Sequence, residues 1–177
     1  MKIVAILGVV LAVALGAVLL VAALKPDSFR IQRTASIKAP PEKVFALVND
    51  FRRWTEWSPW ESIDPALKRT YEGAATGKGA AYGWEGNKNV GSGRMEILES
   101  TPGSLITIKL DFLKPFEAHN TAQFRFDRAG DTTTVTWSMF GPSPYLSKLM
   151  GLVFDMDKMV GGQFEQGLAT LKAKSES

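Results

Sequence analysis

The sequence predicts an α+β protein: a curved antiparallel sheet of about seven strands wrapped around one long C-terminal helix, preceded by a single transmembrane helix. Three observations predict it. Ile3–Leu24 is an unbroken apolar run. Between Lys68 and Phe140, apolar and polar residues alternate with period two in six short segments. From Tyr145 to Lys172 the apolar spacing lengthens to that of a helix.

The apolar run, "IVAILGVVLAVALGAVLLVAAL", has 22 residues without a charge, enough to cross a hydrocarbon layer about 30 Å thick as a helix. A cleavable signal would have a shorter apolar region of roughly 7–15 residues, although "VAA" at Val21–Ala23 can be read as a cleavage site. The reading is therefore a retained anchor over residues 1–25, with a cleaved signal as the alternative, and a single-pass membrane location. Lys2 lies on one side of the run, with Lys25, Arg30, Arg33, Lys38 and Lys43 on the other, which leans toward a cytoplasmic domain. Several of these belong to a strand and a helix, so the side of the membrane stays open.

Residues 26–177 suit one domain with one core. "FRIQRTASIKA" (Phe29–Ala39) reads as a strand. "PPEKVFALVND" reads as a short helix, with Pro41 in its first turn and Val44, Phe45 and Val48 on one face. In "FRRWTEWSPW", Trp54, Trp57 and Trp60 recur every third residue on one side of a tight helical turn, which Pro59 ends. Then come "KRTYEG", "AAYGWEG", "GRMEILES", "LITIKLDF", "HNTAQFRFD" and "TTVTWSMF" as strands, with "RAGDTT" as a hairpin turn. The closing stretch from Tyr145 reads as one long helix with a soft point at Gly161–Gly162.

Composition narrows the function classes. Net charge is +3 and the basic residues are scattered, so no nucleic-acid face is marked. With no cysteine and one histidine, His119, neither a disulfide framework nor a Cys- or His-based metal cluster forms within the chain. No nucleophile-elbow pattern occurs. "GKGAAYG" and "GNKNVGSG" do not join a strand to a helix, which argues against a phosphate loop. Catalytic, metal and cofactor sites are all read as none.

The segments "IKAPPEKVFALVNDFRRWTEWSPW", "KPFEAHNTAQF", "TTVTWSMFGP" and "SKLMGLVFDMDKMVGGQFEQGLATLK" resemble the polyketide cyclase/dehydrase-like branch of the START-type (SRPBCC) superfamily, from about Ile31 to Lys172. That resemblance implies a helix-grip fold and a deep apolar cavity between sheet and helix. It does not by itself imply a cyclase activity.

Strand alternation gives the inward face. Its clearest members are Ile106, Ile108, Leu110 and Phe112; Ala122, Phe124 and Phe126; and Val135, Trp137 and Met139. Tyr82, Trp84, Met95, Ile97, Ile31, Ala35 and Ile37 join them, and Phe154 and Met156 are expected from the long helix. The candidate ligand-binding residues are Trp57, Trp60, Tyr82, Trp84, Ile108, Leu110, Phe112, Asn120, Phe124, Trp137, Met139 and Phe154. Trp54, Trp57 and Trp60 are expected to plug the open end with one exposed edge; an entrance lip that includes Trp57 and Trp60, and a membrane-facing belt, are the alternatives. Asn120 is the inward polar handle, for a ligand oxygen or for a backbone group. Arg33 shares the face of Ile31 and Ile37, to bind an acidic head group or to sit at the strand's exposed end. His119 points outward, and Glu61, Glu85, Asp155 and Asp157 read as solvated acids near the mouth.

Three functions compete. The first is a membrane-tethered binding protein for an apolar small molecule or lipid. The second is a cyclase/dehydrase-like enzyme, and the third a protein-interaction module. An enzyme needs a well-placed acid or base on the inward face. Tyr82, Asn120 and Arg33 are thin for chemistry and adequate for orienting a ligand.

Overall fold

The computed structural model describes residues 2–64 and 66–177. The elements run α1 (Lys2–Leu24), β1 (Ser28–Ile37), α2 (Pro41–Val48), two 3-10 turns (Phe51–Glu56 and Pro59–Ser62), then β2 (Lys68–Gly73), β3 (Ala80–Glu85), β4 (Ser92–Thr101), β5 (Leu105–Lys114), β6 (Ala118–Ala129), β7 (Thr132–Pro142), α3 (Tyr145–Met150) and α4 (Met156–Glu176). They form two compact units: residues 1–29 with 142–156, and residues 30–141 with 157–177.

The larger unit is the antiparallel sheet gripping α4. Strand order is β1-β7-β6-β5-β4-β3-β2, so each strand from β2 to β6 pairs with its successor through a short turn. Gly130, at φ +66°, makes the β6–β7 turn by occupying the left-handed region that a side chain disfavours. The register sets Phe124 opposite Trp137 and Ile106 opposite Phe124. The alternating apolar residues therefore meet as rows on one face. Ile97, Ile106, Ile108, Phe124 and Val135 are completely buried there.

Proline and side-chain caps set the connecting turns. Pro41 opens α2, whose Phe45 meets Phe126 of β6 edge-on at 5.6 Å. The Asp50 carboxylate accepts the Arg52 backbone N–H at 2.9 Å and starts the first 3-10 turn. Polar rungs hold α4 along edge strand β1. Arg33 bonds Asp157 and Glu165, Lys172 reaches the Ser36 carbonyl at 2.8 Å, and Glu176 accepts the Lys38 N–H at 2.6 Å.

The closing stretch is two helices, not one. α3 stops at Gly151, and tight bonds from the N–H groups of Leu152, Val153 and Phe154 back to Leu149 and Met150 carry the chain round to α4. Gly161–Gly162, expected to be soft, lies inside an unbroken α4. Gly161 has a packing reason: a Cβ there would collide with the Arg33 guanidinium, whereas one at Gly162 would meet open space.

In the smaller unit, α1 is long and apolar enough to span a membrane, and its Ile3, Val10 and Leu11 are exposed.

Candidate functional site

The inner face divides into a closed part and a half-open part. In the closed part the Trp137 ring, 2% exposed, is stacked on Phe164 of α4 at 4.1 Å and 9° and on Phe124 at 4.8 Å. Trp57 and Trp60 meet it edge-on, each at 5.5 Å, and Trp54 at 6.5 Å. At such separations rings are in van der Waals contact, and no ligand fits between them. The apolar cavity expected between sheet and helix is here an aromatic core.

This places the three tryptophans. Trp54 and Trp57 are buried, and their indole N–H groups donate to the carbonyls of Val48 at 2.9 Å and Leu47 at 3.1 Å. Trp60 is half-buried. The geometry is that of a plug with one exposed edge. Phe154 lies elsewhere: it belongs to the turn between α3 and α4 and is half exposed. The helix residue on Trp137 is Phe164, ten positions later, because the break after α3 resets the helical phase. Met156, also expected inward, is exposed at the start of α4.

The half-open part lies where the strands carry Trp84, Leu110, Phe112, Asn120 and Met139. Met139, Leu110 and Trp84 are 7, 8 and 9% exposed, and Phe112 and Asn120 are half-buried. Register brings them together: Leu110 faces Asn120, and Ala122 faces Met139. Two strand glycines clear the space, a signal the sequence held but periodicity does not reveal. A Cβ on Gly93 would enter the Trp84 ring, which crosses that position to meet Phe112 edge-on at 5.8 Å. A Cβ on Gly141 would enter the Asn120 amide. Among the described residues none is hydrogen-bonded to that amide, and its atoms stay open to solvent. Asp157, Lys158 and Met159 in the first turn of α4 are exposed. The helix's buried residues start with Gly161 and Phe164.

Tyr82, also a candidate, belongs to a polar knot at the rim. Its hydroxyl donates to Glu61 at 2.8 Å, and Arg69 pairs with the same carboxylate at 2.6 Å. Glu61 is thus a nearly buried partner of two donors and not the solvated acid the sequence suggested. Burial and the neighbouring carboxylate push the Tyr82 phenol far above its ordinary pKa, so it stays protonated. Beside this knot, between the 3-10 turns and α4, is a cleft of about 290 Å³ lined by Trp57, Ser58, Pro59, Glu61, Arg69 and Gln166, among others. Its Glu61 carboxylate already accepts from Tyr82 and Arg69.

The other titratable candidates serve structure. Arg33 is claimed by Asp157 and Glu165, which raise its pKa, and does not wait for an acidic head group. Asp157 accordingly is ion-paired. Glu85 is exposed, as expected. His119 points outward and is exposed. It bonds the Asp111 carboxylate at 2.8 Å, which with Glu117 raises its pKa. No group of three or more His, Cys, Asp or Glu suited to a metal ion occurs among the described residues.

A curved antiparallel sheet closed on a C-terminal helix, with an apolar inner face and no assembled catalytic group among the described residues, defines a helix-grip domain. The sequence agrees: residues 28–176 match the family described as "Polyketide cyclase / dehydrase and lipid transport", and the chain belongs to that family. No curated protein matches the chain. Solved structures share the fold at low identity. Protein CV1439 from Chromobacterium violaceum is 16% identical with a TM-score of 0.59, covering 86% of this chain and 99% of its own. The di-domain ARO/CYC protein BexL of the BE-7585A biosynthetic pathway is 14% identical with a TM-score of 0.61; 89% of this chain is covered but only 53% of BexL. The Aha1 dimer from Colwellia psychrerythraea is 14% identical with a TM-score of 0.56, covering 84% of this chain and 96% of its own.

Proposed function

We propose that this is a membrane-tethered binding domain for an apolar small molecule or lipid, held on the half-open strip with Asn120 grasping its polar end. One observation carries the reading: Asn120, half-buried on the inner face opposite Leu110 and near the half-buried Phe112, has an amide with no protein partner among the described residues. A ligand that covered this face would take the amide out of water, which is costly unless it is hydrogen-bonded, and a ligand carbonyl or hydroxyl would satisfy it. The family description, which names lipid transport beside cyclase chemistry, supports the same class of ligand.

Catalysis fits less well. Acid–base work needs a group that exchanges protons near neutral pH at the ligand. Tyr82 is locked as a donor to Glu61, and Asn120 does not titrate.

The test is native mass spectrometry of the full chain in lipid nanodiscs, to identify carried small molecules, followed by affinity measurement on Asn120→Leu. The variant should fold normally and lose about 0.5–1.5 kcal/mol toward oxygenated apolar ligands, the net worth of one neutral hydrogen bond. Unchanged affinity would remove Asn120 from the site, and multiple turnover of a bound molecule would overturn the binding assignment.

A further inference from the structure

The smaller unit has its own surface chemistry, and it is inverted. A helix facing water buries its leucines and exposes its lysines. In α3 the Lys148 side chain is only 7% exposed and its ammonium is paired with Asp27, while Leu146 is 60% exposed. Met150 at the end of α3, Val153 (79% exposed) and Phe154 in the turn that follows, and Met156 at the start of α4 are exposed too. They give the smaller unit an exposed apolar surface. An exposed patch of this kind marks a contact with a partner or with lipid.

What covers it follows from its attachment to α1. The Tyr145 hydroxyl donates to the Leu19 carbonyl at 3.0 Å, and the Lys25 ammonium to the Gly151 carbonyl at 2.6 Å. The Ser143 N–H donates to the Asp27 carbonyl at 2.7 Å. Leu19 precedes the end of α1 at Leu24 by five residues, about 7–8 Å along a helix axis. If α1 spans a bilayer, that depth is the boundary between head groups and acyl chains, where interfacial helices lie roughly 5–10 Å deep and tyrosine concentrates. Lys25 and the Lys148–Asp27 pair then sit at the polar level, beyond the end of the span.

We propose that α3 and the turn after it form a second, interfacial membrane contact, with Leu146, Met150, Val153 and Phe154 inserted into the leaflet that α1 leaves. This rests on the reading of α1 as a retained anchor. The occupant is the lipid surface around α1, because the patch is tied by the Tyr145–Leu19 and Lys25–Gly151 bonds to the helix that lipid would surround. Such a contact would fix the tilt of the chain's exit from the membrane, where a lone helix would leave it free.

The chain has no cysteine, so single labels can be placed cleanly. Full-length Val153→Cys, Val10→Cys and Asp131→Cys variants carrying an environment-sensitive nitrobenzoxadiazole label are reconstituted in phosphatidylcholine vesicles. Quenching is measured with lipids spin-labelled near the head of the acyl chain or deep within it, and with aqueous iodide. The label at 153 should be quenched by the shallow lipid label and shielded from iodide. The label at 10 should respond to the deep lipid label, and that at 131, in the β6–β7 turn, to iodide alone. If 10 is quenched by lipid but 153 responds to iodide, the interfacial contact is wrong and the anchor stands. If 153 is shielded from iodide yet unquenched by lipid, the patch is covered by protein and the proposal is overturned. If neither 10 nor 153 is quenched by lipid, the anchor reading falls and the proposal with it. A Leu146→Ser/Phe154→Ser double variant, still anchored through α1, should shift the 153 label toward iodide accessibility.

Discussion

The two parts of the inner face have the same alternating sequence pattern and different fates. Around Phe124 and Trp137 the sheet is covered by Phe164 and the tryptophan turns, and the rings stack to contact. Around Trp84, Phe112, Asn120 and Met139 glycines on neighbouring strands make room for the Trp84 ring and the Asn120 amide, and Phe112 and Asn120 stay half-buried. The difference teaches that period-two patterning identifies a face, whereas the covering elements and the missing side chains decide whether that face becomes core or site.

The largest expected effect is on the closed part. Trp137→Ala should cost about 3–5 kcal/mol in chemical denaturation, the usual figure for deleting a packed aromatic. A loss well below that would mean a void exists beside the ring and would erase the contrast. Phe112→Ala should cost roughly half as much, about 1–2 kcal/mol, because the half-buried ring surrenders less contact with its surroundings. Equal costs at the two positions would show that the strip is ordinary core.

The helix that covers one part and not the other can be probed at its adjacent glycines. Gly162→Ala should stabilise the domain by up to about 1 kcal/mol through helix propensity alone, since the new methyl meets open space. Gly161→Ala gains the same propensity but pushes the guanidinium of Arg33 off Asp157 and Glu165, so it should be neutral or destabilising by thermal denaturation. Equal stabilisation at both would show that the Arg33 latch does not hold α4.

A smaller effect concerns pH. Arg33 holds the Asp157 carboxyl below its usual pKa. Its contribution is therefore present above the unfolded pKa and is lost as pH falls through the lower folded value. Hydrogen exchange in the first turns of α4, corrected for intrinsic rates, should quicken on acidification in that window, and Arg33→Gln should abolish the dependence. His119, raised by Asp111, acts in the opposite sense: its contribution is full below the unfolded pKa and fades as pH rises through the folded one.

Much of the fold was legible because each strand obeyed its own local rule. "LITIKLDF" and "TTVTWSMF" fall inside β5 and β7, with Ile108, Leu110, Trp137 and Met139 on the expected face. The helix break at Gly151 was not legible, because Leu146, Met150, Val153, Phe154 and Met156 keep a helical apolar spacing while facing outward. That spacing records an apolar surface and does not say what lies against it. The Glu61–Tyr82–Arg69 knot was missed for another reason: its members come from a 3-10 turn and two strands, and only the folded register brings them together. Asn120 was legible from alternation, whereas the space it occupies depends on Gly141, on the neighbouring strand.

The central claim is that an apolar ligand lies on the half-open strip and not in the polar cleft or against α3. Photo-crosslinking tests it most directly, using a diazirine-bearing long-chain alcohol and the matching acid on the full chain in nanodiscs, with adducts mapped by peptide mass spectrometry. Saturable adducts on Trp84, Phe112 and Met139, weakened by Asn120→Leu, are the expected result. Adducts confined to the cleft at Glu61, Arg69 and Gln166, or only non-saturable adducts along Tyr145–Met156, would contradict it.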